Sequence, residues 1–128
     1  MGVQRLEELL AFQSAVEMKL AVYALVRVHP SAAEDVRFRA QLFDAAASVE
    51  MNIAEGWRRH NAGEFSQFLR YSRASLEEAE RWIHDGVARR HYSIAEAQRA
   101  LDLADTCGRL TMALWKSLRP YVKDRRKR

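Results

Sequence analysis

Four histidines, one cysteine and the carboxylates near them are the residues of this 128-residue chain that could do acid–base or metal chemistry. Di-iron helical bundles hold their metals with paired Glu-x-x-His motifs, which turn a carboxylate and an imidazole inward together. Here His29, His60, His84 and His91 have Val26, Trp57, Arg81 and Ala88 three residues before them, so the motif is absent. Glu80 and His84 share a helix face at i,i+4, but no second pair accompanies them, and a surface contact is the expected role. The lone Cys107 excludes an internal disulfide and a cysteine-rich zinc module, and reads as a small buried hydrophobe. The chain has no glycine-rich phosphate loop and no nucleophile elbow. These residues point to a protein that is not an enzyme and takes no cofactor, metal or small-molecule substrate.

Cations are the remaining chemical resource. Residues 119–128 hold six basic side chains against one acid, and the rest of the chain is close to neutral, so this stretch sets the net charge of +4. Arg119, Lys123, Arg125, Arg126, Lys127 and Arg128 make an electrostatic handle for RNA or DNA phosphates, or else a solubilising terminus. Lys116 just before them, and Arg58 and Arg59 ahead of His60, are further nucleic-acid-binding candidates. Past Pro120 no helical face organises the cations to read base edges, so binding there should be weakly selective and steeply salt-dependent.

The elements that position these residues are helices. Two prolines, five glycines and few β-branched residues disfavour a sandwich or barrel. Three start boxes punctuate the chain: Ser31 to Glu34, Asn61 to Glu64 and Ser93 to Glu96, each with a polar cap and a Glu three residues on. They predict helices over about 4–28, 32–59, 62–89 and 94–118. Their expected core stripes are Leu6, Leu9, Val16, Leu20 and Tyr23; Leu42, Ala46, Val49, Ile53 and Gly56; Phe65, Leu69, Ser72, Leu76, Ala79, Ile83 and Gly86; and Leu101, Ala104, Leu110, Leu114 and Leu118. Short turns make neighbours antiparallel, giving an all-α, up-down-up-down four-helix bundle over 1–119 with a basic tail at 120–128. The longest apolar run, Leu20 to Val26, is 7 residues, too short to span a bilayer. The N-terminus resembles neither a secretory signal nor a myristoylation site, so the expected location is cytoplasmic with no membrane partner.

The second and third helices carry apolar surface beyond one seam. Phe43 and Trp57 on one, and Phe68, Tyr71 and Trp82 on the other, form extra stripes. Such surface is buried against another subunit, or else it widens the core.

One segment is more specific. Asn52-Ile53-Ala54-Glu55-Gly56-Trp57-Arg58-Arg59, with Gln41-Leu42, Ala45-Ala46 and Ser48 before it and Glu64-Phe65, Phe68-Leu69 and Ser75-Leu76-Glu77-Glu78 after it, resembles the 23S rRNA intervening-sequence proteins. That family is also called S23 ribosomal proteins, and accessory variability determinants of diversity-generating retroelements are related to it. The resemblance runs from about Leu9 to Leu118 and includes Tyr23 and Pro30. It implies a cytoplasmic non-enzyme assembled as a homopentameric ring and, for some relatives, contact with nucleic acid or a reverse transcriptase. Asp44 stands where the family usually has a basic residue, which argues against a basic surface on the second helix. Within the motif, Gly56 suits close approach of another helix. Asn52 and Glu55, at i,i+3, are either a recognition patch or a buried pair fixing register against Tyr23, Ser72 or Ser75.

Overall fold

The computed structural model describes residues 4–123. After a 3-10 turn at Leu6–Glu8, α1 runs Leu10–Arg27, α2 Pro30–Glu34, α3 Val36–Arg58, α4 Ala62–Ala88 and α5 Ile94–Leu118, followed by a 3-10 turn at Arg119–Tyr121. No strand occurs among the described residues. The four long helices pack side by side in chain order, and α1 closes the square against α5. None of these helices is long and apolar enough to cross a membrane.

One of the three start boxes forms in full, and a second forms its cap bond alone. Asn61 Oδ1 accepts from Glu64 N–H at 2.9 Å. Ser93 and Glu96 cap reciprocally, Ser93 N–H donating to Glu96 Oε1 at 2.8 Å and Glu96 N–H to Ser93 Oγ at 3.1 Å. Ser31 caps nothing. Pro30 opens the single turn α2, Asp35 leaves helical geometry at φ −81°, ψ 86°, and its carboxylate caps α3 by accepting from Phe38 N–H at 3.3 Å. A proline at the first helical position and a better-placed Asp therefore split the expected second helix in two.

The stripes expected for α3 and α4 are buried throughout. Those for the outer pair are rotated. On α1 the core face is Ala11, Ser14, Ala15, Met18, Val22, Leu25 and Val26, and Leu20 is 56% exposed. On α5 it is Ala97, Ala100, Ala104, Cys107 and Thr111, with the leucines half-buried on the flanks. Small residues take the seam because the two helices approach closely there, and larger side chains fill the grooves beside it.

Candidate functional site

The Asn52–Gly56 motif lies on the last two turns of α3, facing α4. Gly56 is buried, and a methyl group on its Cα would stand 2.7 Å from Phe65 Cδ1 and 2.8 Å from Phe68 Cβ. Its missing side chain is what lets α4 lie against α3 at this height. Ile53 is fully buried and Ala54 half-buried. Asn52 Nδ2 donates to Ser48 O at 2.9 Å and Ser48 Oγ at 3.0 Å, and Ser48 Oγ meets Ser75 Oγ on α4 at 2.8 Å. One position along, Ser72 Oγ donates to Val49 O at 2.8 Å. These are two polar pegs between helices inside an otherwise apolar contact, and they select one register. Glu55 takes no part; its carboxylate binds Arg59 at 3.1 Å and reaches Arg58 at 3.9 Å. Tyr23 turns instead to Phe43, with ring centroids 4.6 Å apart.

The end of the bundle just beyond the motif gathers the described basic candidates. Two segments that are remote in sequence, 58–64 and 119–123, meet there, and together they contain Arg58, Arg59, Arg119 and Lys123 against the single acid Glu64. Arg59 is spoken for, held by Glu55, by Glu64 at 3.8 Å and over the Phe68 ring at 5.0 Å. Arg58 is 76% exposed, and Arg119 lies over the Trp115 ring at 4.8 Å. Between the segments is a recess of about 270 Å³ lined by Trp57, His60, Asn61, Ala62, Phe65, Leu118 and Tyr121. Lys116 points instead to a longer groove between α4 and α5. Arg125, Arg126, Lys127 and Arg128 lie outside the described residues.

The five aromatic interface candidates fall into separate contacts rather than one patch. Phe43 pairs with Tyr23 of α1, Trp82 with Phe38 (6.1 Å), Trp57 with Phe65 (6.3 Å) and Phe68 with Tyr71 (5.6 Å). Of the five only Tyr71 is largely exposed, at 48%. More apolar surface lies on the outer face of α1 and the turn that follows it, where Leu10, Leu20 and Val28 are each more than half exposed. Sequence periodicity missed that face because α1 is apolar on nearly all sides, and Leu20 fits a core stripe and a surface stripe equally well.

The opposite end holds chemistry that spacing could not reveal. His29 Nδ1 donates to Leu25 O at 2.7 Å and its Nε2 to Glu96 Oε2 at 2.8 Å. Leu25 O and the ionised Glu96 carboxylate both accept, so the two bonds are made together only by the protonated ring. The bond to Glu96 raises the pKa of His29, and the same bond with the Ser93 cap lowers that of Glu96 to about 2. Beside them Ser31 Oγ, His91 Nδ1 (2.9 Å), His91 Nε2 and Asp35 Oδ2 (2.8 Å) form a Ser–His–Asp chain. Asp35 also accepts from Arg89 at 3.0 Å, and the His91 bond heads the causes that lower its pKa. The amides of Ala32 and Ala33 after Ser31 both donate to His29 O, so they are not free to steady an oxyanion. This chain of bonds ties α2, α3 and the turn before α5 together.

Cys107 is fully buried, and burial pushes its thiol pKa up. Burial likewise raises Glu80 in the α4–α5 groove, helped by Asp105 and Glu77, with His84 partly opposing. No cluster of three or more His, Cys, Asp or Glu among the described residues is placed to hold a metal ion.

Comparison with protein families matches residues 7–113 to one described as 23S rRNA-intervening sequence protein. None of the curated proteins matches the chain.

Proposed function

The chain belongs to the 23S rRNA-intervening sequence protein family, and from that membership we propose a non-catalytic, cytoplasmic bundle that assembles with copies of itself and holds nucleic acid, or an enzyme bound to nucleic acid, at its basic end. The observation that carries the nucleic-acid reading is that Arg58, and Arg119 with Lys123, belong to two segments that come together at one end of the bundle, around a recess lined by Trp57, His60, Leu118 and Tyr121. Cations carried by two segments at one end can neutralise phosphates of one strand together, and the sequence adds four more positive charges at residues 125–128.

Self-assembly rests on the apolar surface. Because α1 and α4 are diagonal in the square of helices, the exposed Leu10 and Leu20 on one and Tyr71 on the other look away from each other. One face meeting a different face of the next copy is the arrangement that closes a ring, and five copies is the proposed number. Phe43, Trp57, Phe68 and Trp82 would complete the interface from the groove sides.

Two experiments test these readings. Native mass spectrometry at micromolar concentration should show a closed oligomer, and a 14.8 kDa monomer alone would refute assembly. Affinity for a structured RNA at two salt concentrations, for the full chain and for a chain ending at Arg119, should show loss of affinity and of salt dependence on truncation. Equal affinity and slope would assign the last residues a solubilising role only. No RNA binding by either chain would leave a purely protein-binding or structural ring.

A further inference from the structure

We propose that the recess at the basic end takes an unpaired nucleobase, so that the nucleic acid held there is single-stranded where it meets the protein. The inference rests on the nucleic-acid reading above and specifies the chemistry of that same end. Its floor is apolar, formed by Phe65, Leu118 and Ala62, and Trp57 stands on it with its ring steeply inclined to Phe65, at 78°. Tyr121 also lines it and is 75% exposed, the most exposed large apolar or aromatic side chain among the described residues. The 3-10 turn Arg119–Tyr121 packs on α4 and α5, which places Tyr121 among the residues lining the recess. His60, at φ 53°, and Asn61 make the polar side.

A mainly apolar recess of about 270 Å³ with an exposed aromatic side chain in its lining suits a flat ring with a polar edge. Arg58 adjoins Trp57 and Arg119 adjoins Leu118 in sequence, so cations flank the lining residues and favour a ring that comes with phosphates. Bases within a duplex keep their faces stacked on one another, so only an unpaired base can offer a face to Tyr121. Every base has such a face, and the site is expected to tolerate sequence variation while discriminating single strand from duplex.

The test is fluorescence anisotropy with a labelled adenylate strand of about 12 nucleotides, near the site sizes of single-strand binders, in RNA and in DNA form. A duplex and an abasic DNA strand of the same length are the comparisons. The base-containing strand should bind about 5- to 100-fold more tightly than the abasic one. Tyr121→Ala, at an exposed position where folding is not at stake, should abolish that advantage and leave the salt slope unchanged. Tyr121→Phe should retain it. Base-dependent binding of either the RNA or the DNA form supports the inference, and the tighter form identifies the source. Equal affinity for base-containing and abasic strands, untouched by Tyr121→Ala, would overturn the base site and leave phosphate binding standing. If no strand and no duplex binds, both readings fall.

Discussion

Substituting alanine for Gly56 should loosen the α3–α4 contact that carries the family motif, and the cost can be worked from the distances. The added methyl would meet Phe65 Cδ1 at 2.7 Å and Phe68 Cβ at 2.8 Å, well inside van der Waals contact. The Phe65 ring edge can swing aside. Phe68 Cβ cannot, because it moves only with the backbone of α4. Overpacking of this kind costs about 1–3 kcal/mol, and two contacts this short belong at the upper end. Alanine recovers about 1 kcal/mol of helix propensity, which leaves a net loss of about 2 kcal/mol. With a urea dependence of about 2 kcal/mol per molar, the unfolding midpoint should fall by about 1 M at matched protein concentration. Gly108→Ala is the internal control, because a methyl there would stand an ordinary 3.4 Å from Leu76 Cδ2. It should hold or raise the midpoint. A Gly56→Ala protein as stable as the wild type, or one no worse than Gly108→Ala, would refute the close-approach role.

Stability should peak where His29 is charged and Glu96 ionised. A raised histidine pKa contributes stability fully below its ordinary 6.5 and loses it as pH climbs through the folded value, and a lowered glutamate pKa contributes above its ordinary 4.5 and loses it as pH falls toward about 2. Urea midpoints across pH should therefore be highest between those values, and Glu96→Gln should flatten both limbs; a profile unchanged by Glu96→Gln would refute the pairing. Tyr92→Phe removes the hydroxyl that donates to Ile83 O at 2.8 Å and should cost about 1 kcal/mol in a denaturant titration, whereas no change would show the bond to be idle. Asn52→Ala should cost about 1 kcal/mol of stability through loss of the Ser48 bonds and leave RNA affinity unaltered, while the reverse outcome would make Asn52 part of a recognition surface.

The four long helices and most of their boundaries could be read from the sequence because local chemistry marks them. Asn61, Ser93 and Glu96 act within one turn of themselves, and α3 and α4 have one apolar face each, so their stripes have a single phase. On α1, alanine, leucine and valine occur on every side, so periodicity cannot tell Leu20 from Met18, and only packing against α5 decides. The split at Asp35 escaped because Ser31 and Asp35 are both good caps, and the choice turns on Pro30 starting a turn of its own. Of the site, Gly56 was legible as a close-approach position, and the Ser48–Ser75 peg was not, since a serine gives no local sign of its partner across a groove. The His29–Glu96 and His91–Asp35 pairs join residues more than 50 positions apart. The recess likewise exists only because Arg119–Tyr121 turns back onto the start of α4, which no local pattern announces.

The central claim is that the cations of two segments act together on phosphates at one end of the bundle. The direct measurement is the slope of log affinity against log salt for a single-stranded RNA, for the wild type and for the triple substitution Arg58→Ala, Arg119→Ala, Lys123→Ala. Each phosphate contact to a single strand contributes about 0.7 to that slope, so losing three should lower its magnitude by about 2 and weaken binding at low salt far more than at high salt. An unchanged slope and affinity in the triple variant would contradict the claim and move any binding surface elsewhere on the molecule.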